Sequence, residues 1–214
     1  EGQDYISRMT QAANRMQRLI NDLLAFSRIT TKAQPFQSVD VKKITDEVIS
    51  DLEVRIEETN GKVEIGELPQ IDADPMQIRQ LMQNLIGNAL KFSQAGKSPQ
   101  IKVYSQDYSD TSASFVIDGK SVETTGSADK KCQIIVQDNG IGFDEKYLDK
   151  IFTVFQRLHG RTEYEGSGVG LAVCRKIVER HQGNITAKSK EGEGSTFLIT
   201  LPVKQTHKEE IINK

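Results

Sequence analysis

The chain has no tryptophan, three histidines, two cysteines and an aromatic content of only 6% in 214 residues. Each scarcity narrows the field. Cys132 falls in an apolar strand pattern and Cys174 in an apolar helix pattern. They read as two buried free thiols in a reducing compartment, not as a disulfide framework or a metal pair. No run approaches the roughly 20 apolar residues of a membrane span. Neither sign of charge dominates, with 28 basic and 30 acidic residues. That leaves no basic field for nucleic acid and no polybasic patch for a membrane surface. A signal peptide is also missing: the chain starts Glu1-Gly2-Gln3-Asp4, inside a helical pattern and without Met. It reads as a cytoplasmic fragment whose parent protein has room for a membrane anchor elsewhere. Its length suits one large domain, or a compact domain with an appendage.

What is present is concentrated in two glycine motifs. Asp138-Asn139-Gly140-Ile141-Gly142-Phe143 follows the β-branched run Ile134, Ile135, Val136. A carboxylate therefore sits where a strand ends, and two glycines free the backbone behind it. Asp138 can accept from an exocyclic amine while the main chain approaches a flat ring. Gly166-Ser167-Gly168-Val169-Gly170 opens a helical pattern, and free amides at a helix start meet phosphate. Upstream, Asn84 and Asn88 lie four apart and project from one helix face, with Lys91 close to it. An Asn oxygen is a hard, neutral ligand suited to Mg²⁺ that does not repel phosphates, and Lys91 adds positive charge beside them. Together these residues point to a nucleotide site with magnesium.

Residues 4–30 read as one long helix, with Ile6, Met9, Ala13, Met16, Ile20, Leu23 and Ser27 three and four apart. Leu19, Leu24 and Phe26 widen that seam, as in a four-helix bundle. Self-association is the expected way to bury it. Gln34-Pro35 breaks the helix from the downstream chain. A short strand at 36–39 leads to a helix capped by Asp40, running to about residue 60 and stopped by Gly61. A strand at 63–65 and a helix at 74–93, with Asp74 as cap and Pro75 in the first turn, come next. Strands are expected at 100–106, 113–117 and 132–137, with polar stretches at 107–112 and 118–131 read as a solvated insertion. A short helical turn within 145–155, a helix at 169–181 ended by Gly183, and strands at 185–188 and 195–203 complete the chain. The tail from Lys204 is polar and expected to fray. The pattern predicts an α+β fold: a mixed sheet covered on one face by helices, a two-layer α/β sandwich, preceded by one long helix of a dimerising bundle.

The motifs carry a resemblance. Residues 84–93 resemble the N box of sensor histidine kinases of two-component systems, within the wider class of ATPases that share the Bergerat nucleotide fold. Residues 138–143 match the first glycine box, 151–157 are similar to the F box, and 166–172 match the second glycine box, all in family order. Residues 1–33 resemble the second helix of the family's dimerisation and phosphoacceptor hairpin. The resemblance implies an ATP-binding catalytic domain at 34–204 and a tail at 205–214. It also implies roles. Asn88, with Asn84 near it, would hold the Mg²⁺ that bridges the ATP phosphates, and Lys91 would contact phosphate. Asp138 would bind the adenine amine in a pocket shaped by Gly140 and Gly142. The amides of Gly168, Val169, Gly170 and Leu171, next to Ser167, would meet the phosphates. Residues 156–167 would form a lid, with Arg157 or Arg161 touching phosphate and Phe152 and Phe155 anchoring its leading edge. A homodimer through the N-terminal helix and a response-regulator receiver domain would be the partners.

One departure matters. The family's phosphoacceptor is a His on the first helix of its hairpin, and here only His159, His181 and His207 occur, none in that context. The chain is therefore expected to bind ATP without phosphorylating itself. Other readings stay open at this point: another Bergerat-fold ATPase, an ATP-binding dimerisation scaffold without phosphotransfer, or a serine kinase acting on an anti-sigma partner. The hydrolysing ATPases use a Glu on the N-box helix, where this chain has Gln80 and Gln83.

Overall fold

The computed structural model describes residues 2–31, 33–108, 114–117, 120–123, 130–158, 164 and 167–205. Helix α1 (Gly2–Thr31) matches the long helix expected from the heptad spacing. Ile6, Met9, Met16, Ile20, Leu23 and Leu24 stand exposed along it, while Ile29 near its end is buried against the rest of the chain. Strand β1 (Gln37–Asp40) runs into helix α2 (Val41–Asp51), whose cap is Asp40: its carboxylate accepts the Lys43 N–H at 3.0 Å. The single helix expected up to residue 60 breaks at Leu52, and a short helix α3 (Glu53–Glu58) restarts. The bend keeps both Leu52 and Ile56 packed on the core.

Strand β2 (Lys62–Ile65) follows, then β3 (Gln70–Ala73), which pairs antiparallel with β1 and has no counterpart in the sequence pattern. Helix α4 (Pro75–Lys91) carries the two asparagines. Strand β4 (Gln100–Tyr108) leads to a separate two-stranded ladder, β5 (Ser114–Ile117) with β6 (Lys120–Glu123), before β7 (Lys131–Asp138) returns. β4 and β7 pair antiparallel from Ile101 opposite Asp138 to Tyr108 opposite Lys131. A 3-10 turn at Glu145–Tyr147 and helix α5 (Leu148–Ile151) precede helix α6 (Gly170–Arg180). Strands β8 (Asn184–Lys190) and β9 (Gly194–Pro202) close the sheet. Its order is β2-β4-β7-β9-β8, with only β2 and β4 parallel.

Helices α4 and α6 cover this mixed sheet, and α2 packs on α4. Period-2 burial puts Ile134 and Val136 of β7 and Ile199 and Leu201 of β9 against Ile78, Leu81, Leu85 and Ile177 of the helices. Truncating one of these fully buried side chains, Leu85→Ala for example, costs about 2–5 kcal/mol. Cys132 and Cys174 are both free and buried. Burial pushes their thiols up to about 11 and about 12, so neither is reactive at neutral pH.

The two covering helices run antiparallel. The start of α4 and the end of α6 meet in a buried polar joint that also holds the segment after α1. Asp74 is 1% exposed. Its Oδ1 accepts from the N–H groups of Met76 (3.1 Å) and Gln77 (3.3 Å). Its Oδ2 accepts from Gln34 N–H (2.8 Å) and Arg180 (3.2 Å). Arg180 also donates to Gln77 Oε1 (2.9 Å) and to Gln34 O (2.7 Å), and Gln77 donates to Ile29 O (2.8 Å). His181 accepts the Asp74 N–H at Nε2 (3.1 Å), which leaves Nδ1 as the donor to Ile177 O (2.7 Å). The left-handed residues that end α3 and α6 are Asn60 (φ 49°) and Gln182 (φ 58°), one place before the expected Gly61 and Gly183.

Candidate nucleotide-binding site

The opposite ends of the same two helices open onto a cavity of about 270 Å³. That is near the lower end of the range of roughly 300–1,000 Å³ for small-molecule pockets. Its wall comes from the end of α4, the end of β7 with the loop behind it, the residues after α5, the start of α6 and the start of β9. Asn84, Asn88, Lys91, Asp138, Gly142, Arg157, Ser167, Gly168, Gly170 and Leu171 all line it. The remaining expected residues lie elsewhere. Gly140 packs behind the wall, Val169 is buried beneath the helix start, and Phe155 is 54% exposed, off the cavity. Phe152 is buried in the core. Arg161, Gly166, His159 and His207 lie outside the described residues.

Asp138 sits at the last position of β7. Its Oδ1 accepts two backbone N–H bonds, from Gly140 (2.8 Å) and Ser195 (3.2 Å). Neither bond uses Oδ2, which is left for a group in the cavity. Burial pushes this carboxyl above its ordinary range, and the two N–H donors oppose that rise only in part. The glycines beside it answer to space. A Cβ on Gly140 would stand 2.4 Å from Phe92 O, and one on Gly142 (φ 62°) would stand 2.0 Å from Lys190 O. Any larger residue at either place pushes the loop off the strand end.

Across the cavity, α6 starts without a side-chain cap. Its first-turn amides have no partner within the helix. Val169 N–H is taken by Ser167 Oγ at 3.3 Å, so the amides left facing the cavity begin at Gly170. A helix start of this kind draws anions through its N–H groups and its dipole. Asn84 donates from Nδ2 to Gly170 O (3.2 Å) and so fixes α4 to the start of α6. The Asn88 side chain makes no hydrogen bond within the described residues, and its amide oxygen is available to the cavity. Lys91 Nζ lies 4.3 Å from the centre of the Phe92 ring. Arg157 donates to Tyr164 O, and the Tyr164 ring lies 5.1 Å from that of Phe92.

Several lining residues were assigned no role from the sequence: Phe92, Ile141, Phe143, Tyr164, Ser195 and Phe197. Phe92, Ile141 and Phe143 stand inside the motifs, where their place beside assigned residues was the only clue. Tyr164 falls in the stretch expected to form a lid, whereas Ser195 and Phe197 reach the cavity through tertiary packing alone. The site joins a carboxylate acceptor set among apolar walls to a row of amides and cationic side chains. That suits a planar amine-bearing base at one side and an anionic chain at the other.

A profile of the family described as histidine kinase-, DNA gyrase B-, and HSP90-like ATPase matches residues 73–205. Phytochrome-like protein Cph1 of Synechocystis sp. is 37% identical over 203 residues, which is 95% of this chain and 24% of that protein. Sensor protein kinase WalK of Staphylococcus haemolyticus is 31% identical over 203 residues, 92% of this chain and 30% of that protein. The chain thus spans less than a third of the length of either relative. Among solved structures, the catalytic domain of histidine kinase ThkA matches with a TM-score of 0.61 at 25% identity, over 80% of this chain and 97% of that one. Full-length ShkA, solved in complex with AMPPNP, shares the fold with a TM-score of 0.67 at 23% identity, over 95% of this chain and 39% of that one.

Proposed function

The chain belongs to the histidine kinase-, DNA gyrase B-, and HSP90-like ATPase family, as the ATP-binding region of a sensor histidine kinase, and on that basis we propose that it passes the γ-phosphoryl group of ATP to a histidine on another helix. The phosphoryl group then moves to an aspartate of a response regulator. The observation that carries the site reading is the Asp138 carboxylate, anchored through Oδ1 alone, facing an uncapped helix start across one cavity.

Asp138 accepts the adenine amine at Oδ2, and Ile141, Phe143 and Phe197 exclude water from the ring. The Gly170 and Leu171 amides and Gly168 hold the phosphate chain in line, beside Lys91 and Ser167. Arg157, which lines the cavity in the segment after α5, approaches the phosphates. Asn88 is the first choice of ligand for Mg²⁺, because its amide oxygen is uncommitted; Asn84 stands next to it. Among the described residues no group of three or more His, Cys, Asp or Glu could hold a metal, so amide oxygens and phosphates are the donors. Mg²⁺, when bound, offsets the charge that builds on the departing phosphate. Positioning and charge balance are the whole of what such a site must supply.

The phosphoacceptor comes from elsewhere. Both ring nitrogens of buried His181 are occupied, which supports its exclusion from that role. The exposed apolar stripe of α1 supports residues 1–33 as one helix of a hairpin that pairs with a second copy. Titration calorimetry of this chain with ATP and Mg²⁺, then transfer of labelled phosphate to an added helical hairpin bearing an acceptor His, tests the proposal. Binding with transfer only when the hairpin is present is the expected result. Stable label on this chain alone, or no heat of binding, overturns it.

A further inference from the structure

Gln94 follows α4 and does not line the cavity, yet two loops converge on its side chain. Its Nε2 donates to the carbonyls of Asn139 (3.0 Å), Gly140 (2.8 Å) and Gly192 (2.8 Å). Asn139 and Gly140 are the two residues after Asp138. Gly192 belongs to the turn between β8 and β9, which leads to Ser195. The two amides that hold Asp138 Oδ1 are therefore those of Gly140 and Ser195, one from each loop that Gln94 ties.

Backbone bonds also join these loops. Gly192 N–H donates to Ile141 O (2.7 Å), and Ile141 N–H donates to Phe92 O (2.9 Å). Asn139 spans Ser98 O (3.1 Å) and Gln100 N–H (2.8 Å). These bonds set neighbouring backbone, but among the described residues only Gln94 faces three carbonyl oxygens gathered at one point. Such oxygens repel unless a donor lies between them, and a carbonyl left unmet away from water, as at buried Gly140, costs as much as a lost hydrogen bond.

We infer that Gln94 is a positioning residue for purine recognition: its amide holds the two loops that aim the Asp138 carboxylate at the exocyclic amine of a 6-aminopurine nucleotide. This inference rests on the ATP reading of the cavity. It identifies a donor requirement, not a size requirement, at residue 94. Lysine offers three N–H donors for three carbonyls and is tolerated. Glutamate puts an acceptor among acceptors, and methionine fills the space with no donor.

The test uses the 214-residue chain and two probes, ATP and purine riboside triphosphate, which lacks the amine. The readout is the ratio of their dissociation constants, because partial unfolding lowers both affinities alike and leaves the ratio unchanged. Wild type is expected to favour ATP by about tenfold or more, the scale of one buried hydrogen bond to a charged group. Gln94→Glu brings the ratio close to one, Gln94→Met does the same if the glutamate variant fails to fold, and Gln94→Lys keeps the wild-type ratio. A wild-type ratio that survives in both the glutamate and methionine variants overturns the inference and leaves the Asp138 reading standing. A collapsed ratio in Gln94→Lys also overturns it, because the donors would then not be what matters. A wild type that does not distinguish the two probes overturns the reading of the cavity, and the inference falls with it.

Discussion

The two ends of the α4–α6 pair are built from similar polar side chains and treat them in opposite ways. At the joint near α1, Asp74 receives four hydrogen bonds, and Arg180, Gln77 and His181 are each matched to partners. At the cavity, among the described residues, Asp138 keeps one oxygen free and Asn88 has no partner, and α6 has no side-chain cap. A buried polar cluster that is fully matched holds structure; one left half matched waits for a ligand. The same contrast governs protonation. Burial lowers the His181 pKa and raises that of Asp138, so in each case it works against the charged form. The joint uses the neutral imidazole it is given. The cavity needs the carboxylate that burial disfavours, so the fold carries a standing cost where it binds.

Breaking the joint has the largest expected effect. Asp74→Ala takes the carboxylate partner from Arg180, leaves the N–H groups of Gln34, Met76 and Gln77 without their acceptor and removes a helix cap. A loss of about 3–5 kcal/mol is expected in urea unfolding followed by circular dichroism. A loss below ~1 kcal/mol would place the joint on a par with surface ion pairs. The cavity should respond in the reverse sense. Asp138→Asn is expected to weaken ATP binding by roughly 10–100-fold in calorimetry, since the new NH₂ meets the amine donor to donor. Its melting temperature should equal or exceed that of wild type, and a clear drop would contradict the contrast.

Asn88→Ala carries the contrast down to a single metal ligand. It should weaken Mg²⁺-dependent ATP binding by about tenfold and leave metal-free binding and melting temperature unchanged. Equal losses with and without Mg²⁺ would remove Asn88 from the metal's contacts. The smallest effect is in pH. With its folded pKa lowered, His181 contributes stability that is present above its unfolded value of 6.5 and is lost as pH falls below it. Asp138, with its folded pKa raised above 3.8, contributes in the other direction: stability present at low pH is lost as pH rises through that raised value. Melting curves across pH should therefore lose the acid slope in His181→Asn and the opposite slope in Asp138→Asn. ATP affinity should fall as pH drops toward the Asp138 pKa.

The parts of the fold legible in the sequence are those where one residue type has one local use. Asp40 and Asp74 marked their helix starts, the heptad marked α1, and the glycines marked loops around a strand end. The parts not legible are settled at a distance. β3 is four residues long and is fixed by β1 and by Val203, whose carbonyl accepts the Asp72 N–H at 3.0 Å. Gly183 looked like a helix stop, but a Cβ there would stand 2.3 Å from Thr200 O, so its small size serves packing and Gln182 makes the turn. Phe155 sat in a motif with the look of a site residue, and the structure turns it outward at φ 64°. Gln94 followed the N box without any pattern of its own; its three acceptors come from residues 45, 46 and 98 positions away.

Tyr108 and Lys131 face each other at the open end of the β4–β7 ladder. Whatever lies between them departs from and rejoins the sheet at a single doorway, far in register from the Asp138 end. That doorway sets the excursion apart from the Asp138 end of the sheet. A foreign peptide grafted there inherits two anchored ends and, because closure entropy grows only with the logarithm of length, adds little burden as it lengthens. The domain thus has a natural port for a tag or reporter, remote from its chemistry.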